Sequence, residues 1–336
     1  MKKGYRKEKI LLIAPVFFEY YQDIMNKMEE LGYQVDYICD APGNSNLLKA
    51  VGRVNKKLLI PLTKRYYKQE IKPCIENKKY KYVVLIAGMT FSLSLSMVED
   101  IKKMNLDAKW VMYQWDSEEN LPYCKSIHAF FDKVYSFDDR DCKRNSMYYF
   151  MPLFYLDCYG KIRKKQKNEV KYDCCYVGTA HLKKYKDVKN MTDELKKKLP
   201  VQYIYHYMPS NLKYYYQKII SADFRKAKKK EFYFKKLTKE EIVNLYEVSK
   251  CVLDAPQDNQ SGLTMRTIEC LGAGKKLITT NKHIKEYDFY REENILVIDG
   301  TIDWNSSFFS DEYVELSEKI YKKYSIENWV KELLTC

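Results

Sequence analysis

Two α/β domains, each an open parallel sheet with helices on both faces, are the fold this sequence predicts. Three observations predict it. Uninterrupted apolar runs of strand length alternate with segments of helical spacing along the chain. A polar, basic stretch at 160–168 divides that pattern into two halves, after which it starts again. The block at 251–281 reads strand, polar loop, helix, glycine stop, strand. The length of 336 residues fits about two domains of ~150 residues each.

The first strand is expected at 9–14, where Ile10, Leu11, Leu12 and Ile13 follow one another. Helical spacing from Tyr20 to Leu31 stops at Gly32, and a second strand at 34–39 ends in Asp40-Ala41-Pro42-Gly43. An apolar strand at 82–87 leads into a helix reaching about Met104, and strands follow at 110–114 and 133–137. Strands that are apolar throughout belong to parallel sheets covered on both faces, which is the Rossmann type of domain. Met151-Pro152-Leu153-Phe154-Tyr155 is expected to be a hinge and 160–168 a linker.

The second half is expected to open with a strand at 173–177 ending in Gly178-Thr179-Ala180, then a helix at 184–198 and strands at 201–206 and 231–237. Thr238-Lys239-Glu240-Glu241 is a capping box that opens a helix at 238–249. A strand at 251–254, a helix at 264–271, strands at 276–280 and 294–298, and helices at 312–323 and 326–334 complete the chain. No repeat of solenoid period is present.

Composition bounds the function classes. With 46% hydrophobic and 31% charged residues, both halves can bury a core, which excludes a disordered chain. Lys+Arg is 59 against Asp+Glu 45, a net charge of +14 that favours anionic partners. No RNP-like, zinc-finger or helix-turn-helix pattern is visible, so no nucleic acid is expected as partner. The ten cysteines include no C-x-x-C pair, and free thiols in a reducing cytoplasm are expected. Met1-Lys2-Lys3 before an apolar run mimics a signal peptide, but the run passes straight into Glu19-Tyr20-Tyr21 without a small-residue cleavage site and reads as a buried strand. The longest uncharged stretch, 82–98, carries Gly88, Thr90 and three serines and is too short and polar to span a bilayer. The expected location is cytoplasmic, with a peripheral place on the inner membrane face.

The chemistry concentrates at 251–281. Gln260-Ser261-Gly262 feeds a helix start, where free backbone N–H groups and the helix dipole favour an anion. Arg266 and Glu269 lie three apart and share one helix face. A guanidinium suits a diphosphate, and a carboxylate one turn on suits a ribose diol. The same pair also fits an ordinary surface ion pair. Leu263 and Thr264 complete the loop, and Asp254 and Asp258 could touch a ligand or cap it.

Gly262, Arg266, Glu269 and Gly274, followed by an apolar strand, resemble the donor-binding motif Gly…Arg-x-x-Glu-x-x-x-x-Gly of bacterial two-domain GT-B glycosyltransferases. The likeness is to the group 1-like enzymes of capsule, exopolysaccharide and lipopolysaccharide assembly. The segment 172–180 with Gly178 and Thr179, then His181, Lys183 and Lys184, is similar to the glycine turn where that family meets the diphosphate. The resemblance implies two Rossmann-like domains facing each other across a cleft. It implies an acceptor domain at 1–157, a nucleotide-sugar domain at 170–322, and a closing helix at 323–336 that packs back on the first domain. It further implies a metal-independent transfer with Arg266 on the diphosphate and Glu269 on the ribose. No cofactor is expected beyond the nucleotide-diphosphate sugar as co-substrate, and the acceptor would be a saccharide or lipid-linked saccharide. Ser261 stands where the retaining members of E-x7-E pattern carry their first glutamate, so stereochemistry is not inherited.

A transfer also needs an activated acceptor hydroxyl. Glu19 after the first strand, Asp116 beside Trp115 after the strand at 110–114, and His128 are the candidates, with Trp115 available to stack on a sugar. His128 beside Phe130-Phe131 also fits a core residue. Asp139-Arg140-Asp141 is a D-x-D that could hold a divalent metal in a metal-dependent transferase, or simply cap a helix. A basic, apolar segment from Lys49 to Lys72 could lie on an anionic leaflet, and Arg225–Lys230 forms a second basic patch. The alternative class is a non-catalytic nucleotide or nucleic-acid binding α/β protein.

Overall fold

A computed structural model describes residues 7–16, 19–43, 59–165, 169–256 and 262–335. The chain divides into two compact units. The first takes in Met1–Pro152 together with Ile326–Cys336, and the second Leu153–Ser325.

In the first unit, β1 (Lys9–Ala14), β2 (Gln34–Cys39), β3 (Tyr82–Ala87), β4 (Lys109–Gln114), β5 (Lys133–Ser136) and β6 (Tyr148–Phe150) form one sheet in the order β2-β1-β3-β4-β5-β6. All its pairings are parallel. Every residue of β3 is buried, and Ile10, Leu11 and Leu12 of β1 have no exposed area. This is why these strands read as unbroken apolar runs. Helix α1 (Tyr20–Glu30) buries Tyr20, Ile24 and Met28 at i, i+4 and i+8. Helix α2 (Leu95–Met104) is capped by Ser94, whose hydroxyl accepts from the Met97 amide. The helix Ile326–Leu333 belongs to this unit: Trp329 packs edge-on against Tyr113 at 4.8 Å, and the Tyr135 hydroxyl donates to the Glu332 carbonyl.

The second unit opens with helix α3 (Asp157–Lys164), where a linker was expected. Two buried anchors, Tyr159 and Ile162, hold this otherwise polar segment, and Arg163 lies over the Tyr321 ring at 3.9 Å. Strands β7 (Tyr172–Thr179), β8 (Gln202–Tyr207), β9 (Phe232–Tyr233), β10 (Ser249–Asp254), β11 (Lys276–Thr279) and β12 (Ile295–Val297) form the second sheet, in the order β12-β11-β10-β7-β8-β9. Its pairings are also parallel. Between them run α4 (Leu182–Leu195), α5 (Asn211–Ile220), α6 (Lys239–Glu247) and α7 (Met265–Gly272). The capping box at Thr238 and Glu241 starts α6 as its sequence predicts. Gly272 sits where α7 meets the chain before α3: a Cβ there would lie 2.5 Å from Tyr155 Cγ. Two expectations shrink. The strand at 231–237 is two residues long, and the helix at 312–323 begins only at Glu318.

The two-domain α/β fold with parallel sheets is therefore present. Among the described residues, nine cysteines from Cys39 to Cys270 are all free, and no helix is long and apolar enough to cross a membrane.

Candidate functional site at the strand-order reversal of the second unit

The chain runs outward from β7 through β8 to β9, then returns to the other side of β7 as β10, β11 and β12. In such sheets, ligands bind beyond the carboxyl ends of the strands at the point of reversal. That point is the end of β7, at Val177, Gly178 and Thr179, beside the end of β10 at Asp254. Helix α4 begins two residues after β7, and α7 follows β10 after a loop whose residues 257–261 lie outside the described residues. Gln260 and Ser261 fall there.

Asp254 is completely buried, and its partners all come from the start of α7. One carboxylate oxygen accepts from the Thr264 hydroxyl at 2.7 Å and the Thr267 hydroxyl at 3.0 Å, and the other pairs with Arg266. Thr264 is the N-cap of α7, and its oxygen accepts from the Thr267 amide at 3.2 Å. The positive end of this helix thus already has an anion, supplied from within. The helix start expected to take an external anion thus meets Asp254 through Thr264 and Thr267. The loop's described end is packed down as well: Leu263 is 2% exposed, and the buried Gly262 carbonyl accepts from Asn281 Nδ2 at 3.4 Å.

Arg266 turns inward. Besides Asp254, its guanidinium donates to the Val177 carbonyl at 2.6 Å and lies over the Tyr176 ring at 5.1 Å. Burial works against its charge, but Asp254 with Tyr176 and Tyr246 more than offsets this and holds it protonated. Glu269 does share the Arg266 face, and it is 8% exposed. Its carboxylate meets the Tyr159 hydroxyl of α3, and both Glu269 and Arg266 act on Tyr159 and Tyr246. Two guanidinium nitrogens are thus committed inside the protein, so Arg266 ties the ends of β7 and β10 to α7.

The start of α4 differs. Its N-cap residue His181 is exposed, and its side chain accepts none of the first-turn amides. In that first turn lies the half-buried Lys184, whose pKa is lowered to about 8. Burial is the main cause; Arg266 adds to it, and Asp254 counters in part. Among the described residues no group hydrogen-bonds or ion-pairs with the Lys184 ammonium. Nothing is described of the Lys183 side chain. Gly178 is required here by close approach, since a Cβ would overlap the Tyr176 hydroxyl. That hydroxyl is buried and makes no hydrogen bond among the described residues. Thr179 is half-buried at the end of β7.

In the first unit, the exposed Glu19 holds a left-handed backbone (φ 63°, ψ 11°) at the N-cap of α1. A non-glycine residue there stores strain of the kind found at working loops. The next residue, Tyr20, packs on Trp115 at 5.5 Å, and Trp115 meets Tyr113 at 6.0 Å. Asp116 follows, and one of its oxygens accepts from the Ser117 amide at 2.9 Å and Asn120 Nδ2 at 2.8 Å. Glu19 and Asp116 thus each adjoin, in sequence, one ring of the Tyr20–Trp115 contact, and Asp116 is held by the turn that follows β4.

His128 is not with them. It is 4% exposed, bonded through Nε2 to Gln114 Oε1 at 3.1 Å and to the Tyr148 hydroxyl at 3.2 Å, with its pKa lowered by burial. This corrects its place among the catalytic candidates: a core imidazole cannot reach an acceptor. The D-x-D pair also separates. Asp141 accepts from the Glu118 amide at 2.7 Å, whereas Asp139 pairs with Lys143, within the helix Asp139–Arg144 capped by Asp138. Among the described residues no group of three or more His, Cys, Asp or Glu side chains is placed to hold a metal. Asp40, missed in the sequence, is fully buried just after β2 and accepts from the Thr90 hydroxyl at 2.8 and 3.0 Å. Its only sequence signal is its place after a strand.

No model of a protein family matches the chain, and no curated protein matches its sequence. Solved structures do match its fold. An α-glucosyltransferase in complex with UDP and a 13-mer DNA containing a central A:G mismatch is 12% identical with a TM-score of 0.55, over 97% of this chain and 90% of that one. Alr3699/HepE of Anabaena, in complex with UDP and glucose, is 13% identical at 0.54, over 98% and 99%. A candidate UDP-N-acetylglucosamine 2-epimerase from Listeria monocytogenes is 11% identical at 0.53, over 98% and 95%. The fold is thus the two-domain α/β architecture of the GT-B class. Identities this low establish architecture; the chemistry must come from the site.

Proposed function

We propose that the protein is a glycosyltransferase that moves a sugar from a nucleotide-diphosphate donor, bound at the strand-order reversal of the second unit. The observation that carries this is the juxtaposition of Lys184, Arg266 and the uncapped start of α4 at the ends of β7 and β10. A lysine held close to a guanidinium, beside first-turn amides, offers net positive charge to an anion. The donor diphosphate meets Lys184 and the amides after Gly178, Thr179 and His181. Arg266 acts as a positioning residue, fixed by Asp254. Glu269 with Tyr159 offers the nucleoside side a carboxylate for a ribose diol. UDP in two fold neighbours supports a nucleoside diphosphate as the ligand.

The acceptor belongs to the first unit, at the ends of β1 and β4, beside the Tyr20–Trp115 contact that Glu19 and Asp116 flank in sequence. Its hydroxyl oxygen forms a bond to the anomeric carbon as the bond from that carbon to the diphosphate oxygen breaks. The hydroxyl proton passes to a carboxylate, with Glu19 the exposed one. Lys184 and the α4 amides balance charge on the departing diphosphate, so the transfer proceeds without a divalent metal. The acceptor class is a saccharide or lipid-linked saccharide of a surface glycan.

The test is a thermal-unfolding screen against nucleoside diphosphates, then a mass-spectrometric assay with the matching nucleotide sugars. One diphosphate is expected to raise the transition midpoint by mass action, and transfer is expected to persist with chelator. No stabilising nucleotide in the panel would sink the donor site. Conversion of the sugar to its epimer without transfer would replace the transferase reading.

A further inference from the structure

Helix α5 presents its apolar stripe to solvent. Leu212, Tyr215, Tyr216, Ile219 and Ile220 lie at i, i+3, i+4, i+7 and i+8, the spacing that normally marks a core-facing stripe. Here they are 81%, 54%, 60%, 74% and 49% exposed. The opposite side anchors the helix instead: Tyr214 is buried with its hydroxyl donating to the Ala227 carbonyl, and Gln217 Nε2 donates to the Ala180 carbonyl.

The surroundings of this stripe are basic. Between Asn211 and Lys236 there are nine Lys or Arg residues and two acidic ones. Both acids face lysines from outside that segment, Asp223 with Lys186 at 3.4 Å and Glu231 with Lys189 at 3.3 Å. The basic groups border the stripe itself. Arg225 donates to the Ile219 carbonyl at 3.2 Å, and Lys229 lies over the Tyr215 ring at 6.0 Å. An apolar stripe edged by cations and tyrosines matches a surface that is apolar below and anionic above. A second copy of this chain would bring the same positive charge against it and be repelled.

We propose that α5 and the following segment through Lys230 dock the second unit onto an anionic lipid bilayer. Leu212, Ile219 and the two tyrosines enter the interfacial layer while Arg225, Lys226, Lys228, Lys229 and Lys230 face the headgroups. None of these side chains is among those assigned to the donor site, so vesicle binding and nucleotide binding can be lost separately.

The test is co-sedimentation of the full chain with vesicles of phosphatidylcholine, with and without phosphatidylglycerol, across a salt series. The chain is expected to sediment with the anionic vesicles only, and less as salt rises. The double substitution Leu212→Ser/Ile219→Ser and the double substitution Lys226→Glu/Lys229→Glu are each expected to weaken sedimentation about tenfold or more, the scale of losing buried apolar or charged contacts. Circular dichroism and nucleotide binding of both variants should match the parent, because all four side chains lie at the surface. Absence of vesicle binding overturns the proposal. So does binding that survives both variants and is lost instead through Lys64→Glu/Lys68→Glu, or a concentration-dependent dimer that Leu212→Ser/Ile219→Ser abolishes.

Discussion

Replacing Lys184 with methionine should stabilise the empty protein while weakening its hold on a nucleotide. The side chain pays for its position: its pKa falls from 10.5 to about 8. At about 1.4 kcal/mol per tenfold change in proton affinity this amounts to roughly 3 kcal/mol. Screening at a half-buried side chain reduces it, leaving about 1–3 kcal/mol. Methionine keeps the length and helix tolerance without the charge. The unliganded variant should therefore melt about 3–8 °C higher. A lost charge-assisted hydrogen bond of about 1.5–3 kcal/mol should meanwhile weaken diphosphate binding roughly 10- to 100-fold. The pH dependence has a definite sign. Between about 8 and 10.5 the native Lys184 binds fewer protons than the unfolded chain, so raising the pH stabilises the parent relative to the variant, and their gap closes across that window. Thermal unfolding with and without UDP, from pH 7 to 10, reads all three effects. A variant that melts lower than the parent, or that keeps the full UDP-induced shift, would refute the role given to Lys184.

Three further outcomes are expected. Asp254→Ala leaves the Arg266 guanidinium inside without its carboxylate and should cost about 3–5 kcal/mol in urea unfolding; a loss under 1 kcal/mol would contradict a buried pair. Gly272→Ala must push on Tyr155, and about 1–3 kcal/mol of destabilisation should appear in the same measurement. His128→Gln should lower the midpoint through its bonds to Gln114 and Tyr148 while leaving kcat and KM for transfer within about twofold of the parent; a collapse of kcat in a folded variant would return His128 to the reaction.

The sheets were legible because parallel strands are buried on both faces, and β1, β3, β4, β10 and β11 are written as apolar runs within two residues of their true ends. Helix α3 was not, since only Tyr159 and Ile162 reach the core and its six other residues read as a basic linker. Helix α5 was hidden for the opposite reason: its apolar spacing is sound but faces water. The Arg266–Glu269 face was visible from spacing along one helix. The pairing of Arg266 with Asp254 was not, because a strand end and a helix joined by a loop have no fixed spacing to read. Lys184 was legible only as one of the basic residues that follow the turn at 172–180, and what singles it out is its burial beside the Arg266 charge.

The contact of Arg266 with both Asp254 and the Val177 carbonyl has a kinetic consequence. It staples together the two strands that flank the reversal before any ligand arrives. A nucleotide then docks onto a preorganised rim and has little local chain entropy to freeze. Association should accordingly show a single fast phase, linear in nucleotide concentration and free of a slow unimolecular step.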